Sequence, residues 1–280
     1  MMMTKHSHRL YGSGRLRLCL ALTLLILFSV AAAPAYAQGT DFFDDLSTFT
    51  PGQRWQKADW VNGSEMNVCW RKDHVKFGLS PDKMILQLDN EPCPVINPKP
   101  YASGELQSLD PYGYGKFETR MKAANGSGLV TSFFIYTGSY HGATDHDEID
   151  IEILGKESVA GQGYPSKIQF HYYTDGISGP EVTIDVGVDL SAAYHRYGFV
   201  WSADKIEFYF DGVLLHTMAK ENLNPLTGVL VPIPTEPGKI MANLWTATPG
   251  TGEEAWLGVF TYPGTPIRAG YDWILYDSTP

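Results

Sequence analysis

Basic residues are scarce in this sequence, and the shortage sharpens along the chain. Lys and Arg number 21 against 31 Asp and Glu in 280 residues. Four of the basic ones, Lys5, Arg9, Arg15 and Arg17, precede residue 38, in a stretch with no acid. Residues 38–280 thus hold 17 basic and 31 acidic side chains, a net charge of −14. Such a surface repels phosphate backbones and anionic lipid, which argues against nucleic acid or a membrane surface as partner. A neutral partner is the expectation. Cysteine is nearly absent, at three residues. Cys69 and Cys93, without clustered histidines, are too few for a metal centre. No apolar run after residue 33 is long enough to cross a bilayer. Linkers, low-complexity tracts, repeats and long amphipathic helices are also missing, so residues 38–280 read as one non-helical domain.

The N-terminal segment has its own order. The basic residues come first, an apolar run occupies 18–33, and Ala35, Tyr36 and Ala37 form a small-x-small cleavage pattern. This is the order of a secretory signal peptide over residues 1–37. A run of 16 residues is short for a membrane anchor, which needs roughly 20. An exported protein, extracellular or periplasmic, is expected. In that setting Cys69 and Cys93 most simply form one disulfide, with two buried free thiols as the alternative.

The remaining chain is rich in short apolar segments punctuated by Gly, Pro, Asn and Asp, the signal of a sandwich or barrel. The strands expected are 84–88, 115–122, 130–136, 148–154, 167–173, 194–202, 205–210, 213–217, 240–245 and 269–276. Asp211 and Gly212 mark a hairpin between two of them. Two packed antiparallel sheets fit this pattern. Aromatics make up 13% of the chain, with Trp at 55, 60, 70, 201, 245, 256 and 273. Most belong in a core, but exposed rings in a cleft also stack on the apolar faces of sugars.

One segment, 147–155 (DEIDIEILG), carries chemistry. Acidic and β-branched residues alternate in it, so a strand puts Glu148, Asp150 and Glu152 on one face and Ile149, Ile151 and Ile153 on the other. Three like charges in a row are unfavourable in a sheet built only for stability. A solvated face or a calcium site are two readings of the row. Glycoside cleavage is the third. It needs an ionised carboxylate to attack the anomeric carbon and a protonated carboxyl to give a proton to the leaving oxygen, about 5–5.5 Å apart. Cα atoms four residues apart on a flat strand are about 13 Å apart, so a bent sheet must lean the side chains together. Asp150 between them can share a proton with one glutamate, and like charges raise one pKa.

EIDIE at 148–152 resembles the signature of glycoside hydrolase family 16, which includes lichenases, xyloglucan endotransglycosylases, laminarinases, agarases and carrageenases. The resemblance extends through WQKAD (55–59), YGYG (112–115), RMK (120–122), SFFIYTG (132–138), QFHYYT (169–174), GKIMANLW (238–245), WLG (256–258) and YDW (271–273), all in lichenase order. It implies an all-β jelly-roll sandwich of two antiparallel sheets with a concave substrate cleft. It implies Glu148 as nucleophile, Glu152 as general acid/base and Asp150 as their assistant. Glu105, Phe134, Tyr136, Tyr173, Asn243, Trp245 and Trp256 match sugar-contacting positions. Asp272 matches a position used for a structural calcium; no other cofactor is implied. A monomer acting on a β-glucan is the expectation. No residue is inserted before Glu152, which favours the lichenase and xyloglucan branch over the laminarinases.

The departures bear on substrate. Gln107 stands where lichenases have Arg, with Leu106 between it and Glu105. His146 replaces a lichenase Trp, as it often does in the xyloglucan enzymes. The lichenase cysteines align beside Cys69 and with Ser103, so a Cys69–Cys93 bridge is not inherited. Pro232 to Pro237 lie in an inserted loop. A β-1,3-1,4-glucan hydrolase is the leading reading. A xyloglucan-type transglycosylase, a depolymerase of succinoglycan-type polymers and a non-catalytic glycan-binding jelly roll are the alternatives.

Overall fold

The computed structural model describes residues 39–61, 63, 65–79, 82–93, 99–139, 146–157 and 159–280. The segment read as a signal peptide lies outside them. In chain order the first strands are β1 (Phe42–Asp44), β2 (Trp55–Lys57), β3 (Val68–Trp70), β4 (Val75–Phe77), β5 (Met84–Leu88), β6 (Tyr101–Ser103) and β7 (Glu105–Tyr112). The middle ones are β8 (Gly115–Lys122), β9 (Leu129–Thr137), β10 (Asp147–Glu157), β11 (Pro165–Thr174), β12 (Ile177–Ser178) and β13 (Val182–Asp185). The last are β14 (His195–Trp201), β15 (Lys205–Phe210), β16 (Val213–Ala219), β17 (Glu221–Leu223), β18 (Leu230–Pro232), β19 (Gly238–Thr246) and β20 (Ile267–Asp277). One short helix, α1 (Glu254–Leu257), precedes β20.

Two eight-stranded antiparallel sheets make the sandwich. One runs β16-β15-β14-β8-β20-β5-β4, with β1 on β20. The other, here the cleft sheet, runs β12-β11-β10-β9-β19-β7-β2, with β13 on β11. Consecutive strands pair along β9 to β12 and β14 to β16, but β8 with β14 and β20, and β19 with β7 and β9, join distant segments, as a jelly roll rather than a meander requires. Alternation decides what lies between the sheets. Ile149, Ile151 and Ile153 on β10 are wholly buried, as are Phe133 on β9, Phe170 and Tyr172 on β11, and Ile240, Ala242 and Leu244 on β19. They meet the inward rings of the other sheet. Phe170 stacks on Phe208 with ring centroids 4.5 Å apart, and the Tyr271 hydroxyl donates to the Ser132 carbonyl at 2.7 Å. Large flat rings fill the space between twisted sheets at little entropic cost, and the hydroxyl ties one sheet to the other.

The strands expected from alternation are present, three of them, β5, β8 and β15, with the same boundaries. The hairpin at Asp211 and Gly212 has positive φ at both residues, 47° and 82°, as a two-residue turn matched to strand twist requires. Strand β7 is not among the strands expected from alternation. Here Pro111 sits beside a register shift between Lys239 and Met241 on β19, an irregularity that accommodates a residue without an N–H. Cys69 and Cys93 are joined in a disulfide, with Cα atoms 6.1 Å apart.

The inward row of β10 gives a direct stability test. Ile151→Ala deletes three buried carbons between two rigid sheets. It should lower the unfolding free energy by about 3 kcal/mol, and Ile151→Val by about 1 kcal/mol. Urea titration reads both values; an Ala variant as stable as the parent would remove Ile151 from the core.

Candidate active site

The face of β10 opposite the core carries the acids. Register with its neighbours builds three rows across the cleft sheet. The first is Tyr173, Glu148, Tyr136 and Lys239. The second is His171, Asp150, Phe134, Met241, Gln107 and Gln56. The third is Gln169, Glu152, Ser132, Asn243 and Glu105. One strand parity thus sets a carboxyl at the centre of each row, with aromatic or amide side chains to either side.

These rows floor a cavity of about 870 Å³. Glu148, Asp150, Glu152, Glu105, Phe134, Tyr136, Asn243 and Trp245 all line it. Tyr173 lies beside Glu148 on β11. Trp256 reaches in from α1, donating from Nε1 to Gln169 Oε1 at 2.6 Å, and Gln169 in turn donates to Glu152 Oε2 at 3.4 Å. Asp272 is not among them. It lies on β20 in the other sheet, where its carboxylate accepts from the Arg120 guanidinium. Among the described residues, the group of side chains at metal-ligand spacing is His74, Asp89 and Glu91, which does not include Asp272.

Alternation did not reveal the cleft wall. Trp60, Val61, Met66 and Trp70 line it as well. Trp60 is 45% exposed, the profile of a ring that awaits a partner. The loop bearing it is fastened by isolated bridges, Val61 to Cys69 and Met66 to Ala247, and by Lys99 Nζ donating to the Gly63 carbonyl at 2.7 Å. Such pairings leave no periodic trace in a sequence. Ser132, Met241 and Lys239 could have been found, since they share parity with Phe134 and Asn243.

An amide chain organises the third row and its edge. Gln56 Nε2 donates to Gln107 Oε1 at 2.7 Å, and Gln107 Nε2 donates to Glu105 Oε1 at 2.8 Å. Asn243 Nδ2 donates to Glu105 Oε2 at 3.1 Å, while the Ser132 hydroxyl donates to Asn243 Oδ1. Gln107 is neutral where the lichenases have Arg, so Glu105 has no cation against it. Burial pushes the Glu105 carboxyl up to about 7, with the Glu148 charge adding to the rise and the two amide donors opposing it.

The central acids differ in environment. Burial raises the Glu152 carboxyl to about 8, and the charges of Glu148, Glu181 and Glu253 add to this. Burial also lifts Asp150 well above the carboxylate range, helped by the charges of Glu148 and Glu152 and by a hydrogen bond with Glu148. Near neutral pH, Glu152 therefore holds a proton. Glu148 lies against an imidazole: His146 Nε2 is 2.6 Å from Glu148 Oε2. A carboxyl that holds a proton near neutral pH and a second carboxyl on the same face are what acid-assisted nucleophilic displacement uses.

The strand entry is held independently of the row. Asp147, pointing the opposite way, accepts the N–H of Asp175 at 2.9 Å on one oxygen and those of Thr235 and Glu236 at 2.9 and 3.0 Å on the other. These bonds anchor the inserted loop to the start of β10. Gly138 lets the Tyr136 ring approach; a Cβ there would sit 2.3 Å from its hydroxyl.

The sequence is matched over residues 62–273 by the model of glycosyl hydrolases family 16. It is 42% identical over 252 residues to a beta-glucanase of Bacillus subtilis, covering 89% of this chain and 91% of that one. A beta-glucanase of Paenibacillus polymyxa is likewise 42% identical over 255 residues, 90% of this chain and 92% of its own. Among solved structures, a beta-glucanase of Bacillus licheniformis superposes with a TM-score of 0.69 at 38% identity, over 85% of this chain and 98% of that one. A beta-1,3-1,4-glucanase (lichenase) from a mouse hindgut metagenome gives 0.72 at 36% identity, over 86% and 100%.

The raised acids have a stability consequence. A carboxyl whose pKa rises on folding contributes stability that is full below its unfolded value, near 4.5, and is lost as pH climbs through its folded value. For Glu152 that loss spans about 4.5 to about 8, and for Glu105 about 4.5 to about 7. Glu152→Gln should therefore raise Tm at pH 8.5 by roughly 2–4 °C, corresponding to about 1 kcal/mol, with a smaller difference at pH 4.5. Calorimetry at the two pH values checks this; an equal shift at both would show that the charge of Glu152 costs the fold nothing.

Proposed function

Since the chain belongs to glycosyl hydrolases family 16 and is a glycoside hydrolase, we propose that it is an exported endo-β-glucanase. In this reading it cuts internal bonds of a neutral, lichenan-type β-1,3-1,4-glucan by a retaining double displacement. The observation that carries the proposal is the pair on β10: Glu148 beside a hydrogen-bond donor, and Glu152 two residues beyond Asp150 with its pKa pushed up to about 8.

The steps follow from those protonation states. Glu148 attacks the anomeric carbon while Glu152 gives its proton to the departing glycosidic oxygen, and the C–O bond to the leaving chain breaks. A glycosyl ester on Glu148 remains. Glu152, now a carboxylate, takes a proton from water as the water oxygen attacks the same carbon from the vacated side. Glu148 leaves as carboxylate, Glu152 is protonated again, and two inversions give net retention. Asp150, buried between the two and hydrogen-bonded to Glu148, holds the nucleophile in place.

Substrate class rests on charge and surface. The cavity lining includes Glu65, Glu105, Glu148, Asp150 and Glu152, against Lys239 as the one cation among its described side chains. That balance favours a neutral glycan over an acidic, succinoglycan-type polymer. Trp60, Phe134, Tyr136 and Trp245 offer ring faces, and the Gln107, Glu105 and Asn243 chain offers donors and acceptors for sugar hydroxyls.

Glu148→Gln and Glu152→Gln should each lose about a thousandfold or more in kcat on lichenan while keeping the parent's circular dichroism. Azide should restore activity to Glu148→Ala and yield a glycosyl azide of inverted configuration. A panel of lichenan, barley glucan, laminarin, xyloglucan and succinoglycan reads the substrate. Release of reducing ends from lichenan but not from laminarin is expected. Constant reducing ends with reshuffled chain lengths would instead identify transglycosylation, and full activity in either Gln variant would remove that residue from the reaction.

A further inference from the structure

We propose that His146 is a positioning residue for the reaction: it orients Glu148 and eases its departure from the glycosyl ester. The inference rests on the assignment of Glu148 as nucleophile given above. Its own basis is the place of the imidazole. His146 precedes β10 and shares parity with Glu148, so its ring falls on the cleft face one step beyond the first row. Its backbone carbonyl accepts the Gly176 N–H at 2.8 Å, which fixes the strand entry. Its ring stacks on Tyr173, centroids 4.9 Å apart at 19°, and meets Tyr136 at 5.0 Å. Both tyrosines flank Glu148 in register. The imidazole is thus gripped by the two strands beside the nucleophile, with Nε2 at 2.6 Å from Oε2.

An ionised carboxylate can only accept, so Nε2 carries the hydrogen in this bond. A donor on one oxygen leaves the other free for the sugar carbon. The bond is charge-assisted while Glu148 is a carboxylate and weaker when it becomes an ester. One consequence follows. Glu148 is a better leaving group in the second displacement, because the strong bond is regained as the ester breaks.

The charged and titratable groups around His146 are few. On β10 they are Asp147, Glu148 and Asp150. On β11 they are Tyr173 and His171, whose imidazole is pushed down to about 4, mainly by burial and further by the neighbouring His146. On β9 there is Tyr136, with Lys239 opposite it on β19.

The test compares His146→Phe, which keeps a flat ring between the tyrosines, with His146→Gln, which restores a donor. The substrate is an activated aryl β-glucan oligosaccharide, whose good leaving group makes hydrolysis of the ester limiting. For His146→Phe, kcat should fall roughly tenfold to a hundredfold, the value of a hydrogen bond to a charged group. KM should fall with it as the glycosyl enzyme accumulates. His146→Gln should recover much of both changes. A merely structural lesion would raise KM and lower Tm. If His146→Phe keeps the parent's kcat and KM while azide still rescues Glu148→Ala, this inference alone is overturned. Failure of azide rescue would overturn the nucleophile assignment and this inference with it.

Discussion

Mutual repulsion among carboxyls on one strand face is the constraint around which this molecule is arranged. Glu148, Asp150 and Glu152 cannot all carry charge in a partly dry cleft. Burial and this repulsion raise Asp150 and Glu152, the latter to about 8, and in the proposed reaction the proton on Glu152 is the one a departing sugar oxygen takes. The row is unfavourable to the fold at alkaline pH and useful to the chemistry for the same reason. Much of what surrounds it manages that conflict. A histidine stands against Glu148, a glutamine against Glu152, and amides rather than a guanidinium against Glu105.

The opposite face of β10 makes the arrangement affordable. Three wholly buried isoleucines lock the strand into a core built largely of stacked rings. One parity gives adhesion between sheets and the other gives a line of acids. A one-residue slip would exchange them, burying carboxyls and exposing isoleucines. The register that makes the site is thus enforced by the hydrophobic effect rather than by contacts within the site.

What the sequence made legible follows from this. Strict alternation from 147 to 154 told which side chains share a face, and the structure places them so. The long core strands were readable for the same reason. Strand β7 was hidden by Pro111, because its pairing with β19 is broken by an irregularity that only the partner strand explains. The wall carrying Trp60 was hidden because single bridges and a lysine-to-carbonyl bond hold it. Asp272 shows the limit of reading a residue by position: the carboxylate is where the resemblance puts it, but Arg120 on a neighbouring strand occupies it. Sequence gives a side chain's parity, while its partner depends on which distant strand arrives beside it.

Asp147 sits between His146 and Glu148 and grips three main-chain amides from two separate loops. Amide recognition is blind to side-chain identity. Residues 175 and 235–236 can therefore drift in sequence without loosening the strand's anchorage. The rim of the groove can thus change its side chains while the strand that carries Glu148, Asp150 and Glu152 stays in register.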